Sequence, residues 1–264
     1  MKSGNKKILA SVLVTVVALI TIVSLSGLNF FTPVSSPTVE EEPDLSNMPE
    51  NLFLKTQDGK NLAAAYFKIV NPSAWVVYLH MMPSTKESFT NLATKFLGWG
   101  FSGVAVDLRG HGKSEGGPNG YQNFSDQDHQ ASYLDVLAAV DFLKSKGAAD
   151  EKIYLIGASI GANLALKYLA ENSETAGVVL LSPGIDYRGI TTKDLIVRLT
   201  GKSKILFVSS RDDGNNAEEV EELSELVPAG VKKEKIIFDD AGHGTDILKN
   251  HPELYNQIVA FLTN

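Results

Sequence analysis

Ile153-Tyr154-Leu155-Ile156-Gly157-Ala158-Ser159-Ile160-Gly161 decides how this chain folds. Four apolar residues without polar alternation read as a strand covered on both faces, and apolar positions at helical spacing follow over 159–171. Between them stands Gly-x-Ser-x-Gly. A serine can be exposed on a sharp strand-to-helix turn only if its neighbours are small enough for the two elements almost to touch. Gly157, Ala158, Gly161 and Ala162 meet that need. The backbone N–H of Ile160, at the helix start, would face an oxyanion forming beside the serine. The five-residue pattern alone also fits an idle glycine turn, so its strand–helix setting is what makes Ser159 a candidate nucleophile.

Outward from this turn, short β-branched or aromatic runs recur at 75–79, 103–107, 178–181, 205–208 and 235–238, and helical patterns fall at 133–143, 217–227 and 252–262. Ser125-Asp126-Gln127-Asp128 resembles a capping arrangement ahead of the first of these helices. Residues 52–56 and 62–69, around Asp58-Gly59, read as a hairpin. This alternation predicts an α/β domain with a mostly parallel sheet flanked by helices and an antiparallel hairpin at its leading edge. Ligands on such sheets bind beyond the carboxyl ends of the strands.

A serine nucleophile needs a base. His243, in Asp240-Ala241-Gly242-His243-Gly244, follows the last strand and precedes the last helix, and the flanking glycines let a loop carry the imidazole over the sheet end. The acid that would orient it stands in Ser209-Ser210-Arg211-Asp212-Asp213-Gly214, where either aspartate is a candidate and the other would be a solvated loop acid. Serine, acid and base then occur in the order expected for this elbow.

From about residue 50 onward the chain resembles an α/β-hydrolase, specifically the compact bacterial esterase-like branch. The resemblance rests on Gly157-Ala158-Ser159-Ile160-Gly161, on Gly242-His243-Gly244, and on Asp107-Leu108-Arg109-Gly110-His111-Gly112-Lys113-Ser114 after a strand. It implies hydrolysis of esters, thioesters or amides through an acyl-enzyme, without a metal or organic cofactor. It also favours Asp213 over Asp212 as the triad acid. Strand 75–79 runs into His80-Met81-Met82-Pro83, where the family commonly has His-Gly and then the second oxyanion donor; by position that donor is Met82, with Met81 as fallback. His80 reads as a structural residue under the site, Asp107, Arg109 and His111 as a hydrogen-bonded loop scaffold, and His129 and His251 as surface or cap residues. Met81 and Tyr121 are candidate walls of the substrate cleft. Only residues 182–203 separate the strand after the elbow helix from the next, enough for one or two helical turns over an open site that accepts a small or medium acyl group.

The composition agrees with this reading. The 264 residues contain no cysteine, which excludes disulfides, a thiolate nucleophile and Cys-ligated metals. Lys2, Lys6 and Lys7 precede an uncharged apolar run at 8–28, long enough to span a bilayer. Residues 1–29 therefore read as an uncleaved membrane anchor, with a cleaved signal or a buried helix as rivals, and the lysines favour an extracytoplasmic body. Residues 30–49, with four prolines and Glu40-Glu41-Glu42, read as a linker to a domain over 50–264. With those lysines set aside, the rest of the chain holds 21 basic against 31 acidic residues, a charge of −10 that argues against nucleic-acid binding. The acidic run Glu218, Glu219, Glu221, Glu222 and Glu225 reads as a solvated helix face. The expected function is a membrane-tethered serine hydrolase acting on a small-molecule ester, with a peptidase, a thioesterase or a non-catalytic module on the same fold as rivals. The oligomeric state is open.

Overall fold

Strand and helix alternate along the chain in the computed structural model, which describes residues 48–264. The anchor expected at 1–29 and the linker up to residue 47 lie outside the described residues. Among the described residues no helix is long and apolar enough to cross a membrane.

The strands are β1 (Glu50–Lys55), β2 (Asn61–Phe67), β3 (Ala74–Leu79), β4 (Phe101–Val106), β5 (Ile153–Ala158), β6 (Gly177–Leu181), β7 (Asp186–Tyr187), β8 (Ile190–Thr191), β9 (Lys204–Ser210) and β10 (Lys232–Phe238). The helices are α1 (Thr90–Gly98), α2 (Asp126–Gln130), α3 (Tyr133–Ser145), α4 (Ile160–Glu171), α5 (Lys193–Ile196), α6 (Asn216–Leu226), α7 (Asp246–Asn250) and α8 (Leu254–Thr263). Eight strands form one sheet in the order β1-β2-β4-β3-β5-β6-β9-β10. The β1–β2 and β2–β4 pairs are antiparallel and all later pairs are parallel, so the antiparallel hairpin stands at one edge as the sequence predicts.

β5 shows why the central strands lack alternation. All six of its residues are buried. Ile153 and Leu155 feed the core beneath α3, α4 and α6, while Tyr154, Ile156 and Ala158 feed the core beneath α1, α7 and α8. Fully burying each such aliphatic side chain contributes about 1.5–3 kcal/mol. β10 departs from the expected two-sided burial. It is the edge strand, and Lys232, Lys233, Glu234 and Lys235 are exposed along it, as suits a strand with no neighbour on one side.

Helix α1 leaves little signal in the sequence. Its buried Leu92, Ala93, Phe96 and Leu97 recur at helical spacing, but the run is short and begins without a capping side chain. The 182–203 segment also differs from expectation. It contains the β7–β8 hairpin as well as the single turn of α5.

The register brings the strand ends level. Leu79 lies opposite Gly157, Ala158 opposite Leu181, and Leu181 opposite Val208. The loops after β3, β5, β6, β9 and β10 therefore leave the sheet at one edge.

Candidate active site

Ser159 sits at φ 54° and ψ −121°, a backbone conformation that a residue with a side chain rarely adopts and that costs about 1–3 kcal/mol. The turn is made possible by its glycines. A Cβ on Gly157 would fall on the Gly161 carbonyl, and a Cβ on Gly161 would fall on the Leu79 carbonyl. Strand and helix thus cross at backbone contact, and the serine is left at the apex with 7% exposure. Ile160 is the first residue of α4, so its N–H has no partner within the helix.

His243 and Asp213 meet over the same edge. Nδ1 of His243 lies 2.6 Å from Oδ2 of Asp213. The Asp213 side chain retains 17% exposure and that of His243 33%, so the pair is half-buried. The neighbouring Asp212 points elsewhere. Its carboxylate accepts hydrogen bonds from the Ser210 hydroxyl and from the backbone N–H groups of Ala241 and Gly242, at 3.2 and 3.1 Å. These bonds hold its carboxyl below the usual range, the Ser210 hydroxyl contributing most. Asp212 is exposed, as expected of the second aspartate, but it is a strut of the histidine loop and not an idle loop acid. Ser182, at φ 48°, ties the other end of that loop, accepting the Gly244 N–H on its hydroxyl at 2.8 Å.

The His80-Met81-Met82 loop lacks the expected glycine but is well determined. Nε2 of His80 accepts the Leu108 N–H at 2.9 Å, and its Nδ1 donates to the Met81 carbonyl at 2.8 Å. Ser84 N–H donates to the same carbonyl. In a trans peptide the C=O and the following N–H point in opposite directions. The Met82 N–H is therefore turned away from His80, and it meets no protein acceptor among the described residues. Met81 packs beside Gly244 and Ala158, between the serine and histidine loops. Met82 packs against the core on the α4 side. Burial, reinforced by the charge of nearby His111, lowers the pKa of His80 to about 4. His80 is thus a neutral structural ring beneath the site.

Behind this loop lies the scaffold expected of Asp107, Arg109 and His111. Asp107, fully buried, accepts the backbone N–H groups of Lys86 and Lys113 and pairs with the Lys86 ammonium at 3.0 Å. Arg109 bridges Asp135 and Asp58. Its hydrogen bonds hold Asp58 down at about 2, while burial pushes Asp135 up to about 6 against the pull of the same guanidinium.

Tyr121, a candidate cleft wall, has its ring stacked on His111, with centroids 4.2 Å apart. The aromatic side chain that meets His243 is Tyr187, on the β7–β8 hairpin. It stands edge to face with His243 at 6.4 Å, and its hydroxyl donates to the Ser182 carbonyl at 3.3 Å. Burial pushes this phenol up to about 12, with the charges of Asp213 and Glu219 adding and the Ser159 hydroxyl pulling the other way. Length and composition mark Tyr187 only as an apolar member of its segment; a two-residue strand gives no periodicity to read.

His129 is a core residue and not the surface or cap residue expected. It is buried at 2% exposure, edge-on to Phe124, because the capping box of Ser125 and Asp128 turns α2 so that this residue faces inward. His251 caps α7, stacks on Phe238 and pairs with Glu253. The α6 acids are exposed as expected except Glu219, which accepts the Ile185 N–H.

Residues 70–226, more than half of the chain, match the family described as serine aminopeptidase, S33. The chain belongs to that family. This S33 member is an α/β-hydrolase, and the match includes Ser159 and Asp213 but ends before His243. Solved structures share its fold. An esterase from Pyrococcus furiosus superposes with a TM-score of 0.67 at 24% identity, over 83% of this chain and 92% of the other. An esterase from Exiguobacterium antarcticum gives 0.64 at 18% identity, over 81% and 100%. A dienelactone hydrolase from Anabaena variabilis gives 0.65 at 15%, over 82% and 98%.

Proposed function

We propose that this chain is a serine carboxylesterase acting on small or medium acyl esters. Ser159 is the nucleophile, His243 the general base and then acid, and Asp213 the group that holds the His243 tautomer and stabilises its imidazolium. The N–H groups of Ile160 and Met82 form the oxyanion hole. The observation that carries the reading is the His243–Asp213 contact of 2.6 Å at the sheet edge where the Ser159 elbow emerges. The Ser159 hydroxyl attacks the ester carbonyl and passes its proton to His243 Nε2. That proton leaves on the alcohol as the acyl-enzyme forms, and water repeats the sequence to release the acid.

A fluorophosphonate probe should label the wild-type protein and not Ser159→Ala. Absence of label on folded wild type would overturn the proposal. A peptidase reading is motivated by the family's description as an aminopeptidase. Comparing p-nitrophenyl butyrate with aminoacyl p-nitroanilides separates the two: the esterase reading expects the ester to be turned over with the higher kcat/KM.

The membrane tether is proposed on the sequence of 1–29, with Lys2, Lys6 and Lys7 retained inside and the hydrolase body outside. Protease added to intact cells should then clip the body. Protection until lysis would reverse the orientation.

A further inference from the structure

The segment carrying Tyr187 is short, but it is fixed at several points. Asn163, buried on the first turns of α4, donates to the carbonyls of Gly184 and Ile190 at 3.0 and 2.8 Å and accepts the Gly184 N–H at 3.1 Å. All three bonds go to the two flanks of the β7–β8 hairpin. Thr192 donates to Gly184 from the far side, Asn216 donates to the Pro183 carbonyl, and Glu219 accepts the Ile185 N–H. The Tyr187 ring lies flat against Gly184, where any Cβ would strike it.

The result is a phenol held beside the proposed base. Its ring meets the His243 edge, its acidity responds to the nearby Ser159 hydroxyl, and its resting acceptor is the Ser182 carbonyl at a long 3.3 Å. Ser182 also holds Gly244, the residue after His243, so one serine sets the positions of both the tyrosine and the base. A donor on the histidine side of the nucleophile lies where the alcohol half of an ester departs, away from the Ile160 N–H that faces the oxyanion.

We propose that Tyr187 is a further catalytic residue, its hydroxyl donating a hydrogen bond to the leaving-group oxygen of the bound ester. The proposal rests on the esterase reading above. When the tetrahedral intermediate collapses, the carbon–oxygen bond breaks and its electron pair passes to the leaving oxygen. The proton that this oxygen takes up comes from His243 Nε2, which received it from Ser159. Tyr187 keeps its own proton, exchanging the weak bond to Ser182 for a stronger one to an oxygen gaining negative charge. Because the phenol is held protonated well above neutral pH, it serves as a donor throughout the working range. Preorganisation by the hairpin means that no ordering cost falls on the reaction step.

The test uses leaving groups of different need. An alkoxide must be stabilised as it departs, whereas p-nitrophenolate leaves readily without help. In purified protein, Tyr187→Phe should keep fluorophosphonate labelling and lower kcat/KM for ethyl butyrate about tenfold more than for p-nitrophenyl butyrate, the value of one hydrogen bond to a developing charge. Tyr187→Met should show the same split. Equal losses on both esters, no loss on either, or loss of labelling along with activity would overturn the assignment. If wild type itself fails to label, the nucleophile reading fails instead, and the two failures are distinguishable.

Discussion

Around the loops after β3 and β4, His80, Lys86, Asp107, Arg109, His111 and Asp135 are all buried to 6% exposure or less, and nearly all of their polar atoms are spent on one another, on Asp58 and Glu87, or on backbone groups. Beside them, after β5, β9 and β10, stand Ser159, Asp213 and His243. There His243 and Asp213 keep side-chain exposures of 33% and 17%, and the Ile160 N–H is left without a helical partner. Within the first cluster only His111 Nε2 lacks a partner among the described residues. Buried charge that is fully paired is scaffold; polar capacity left unfilled beside a serine on a strained turn marks a candidate site. Substitutions in the two clusters should therefore separate activity from stability.

The largest effects belong to the Ser159 cluster and should be purely kinetic. Ser159→Ala should abolish turnover while leaving the urea midpoint where it was. Asp213→Asn should lower kcat by roughly 10³–10⁴-fold, because an amide cannot hold the imidazole in its working tautomer. A large shift in the urea midpoint for either would blur the contrast.

The buried cluster should answer in the opposite currency. Asp135→Ala removes the acceptor of three Arg109 donors, including its backbone N–H at 2.8 Å. It leaves a guanidinium buried with only Asp58, so a destabilisation of about 3–5 kcal/mol is expected in urea unfolding. His80 gives a smaller, pH-dependent effect. Its folded pKa lies near 4 and its unfolded value near 6.5, so the unfolded chain binds more protons between them and stability falls as pH drops through that window. At pH 4.5 the loss from this ring alone is on the order of 2–3 kcal/mol. His80→Gln, which can still donate to Met81 and accept from Leu108, should remove that part of the acid sensitivity. Asp135, with a raised pKa, works in the reverse sense over a similar range, so the comparison is between variant and wild type and not on wild type alone.

Which parts of this contrast are legible in sequence follows from how local their causes are. The Ser159 elbow is specified by five adjacent residues whose sizes permit only one crossing, and β5 by an unbroken apolar run. Positions at strand ends bring His243 to Asp212 or Asp213, and the family resemblance favours Asp213 of the two. What escaped depends on contacts distant in the chain. Tyr187 is placed by Asn163, Thr192, Asn216 and Glu219, from three different elements or loops, and none of them signals its target. His129 is turned inward by a cap that sequence identifies without giving its direction. The Met81–Met82 peptide is set by His80, in place of the glycine the family pattern favours.

The finest form of the comparison lies between neighbours. Asp212 and Asp213 are adjacent and chemically identical, yet one orients the imidazole and the other the loop that carries it. Two backbone N–H groups and the Ser210 hydroxyl need an acceptor, and an amide oxygen can serve them nearly as well as a carboxylate. Asp212→Asn should therefore cost no more than about twofold in kcat, whereas Asp212→Ala, which leaves the Ala241 and Gly242 donors to water and loosens His243, should cost about tenfold. At Asp213 the order reverses in meaning, since there the amide is itself the damaging change. A large loss in Asp212→Asn would show that its charge, not its acceptor geometry, matters to the imidazolium, and the division of labour between the two aspartates would have to be redrawn.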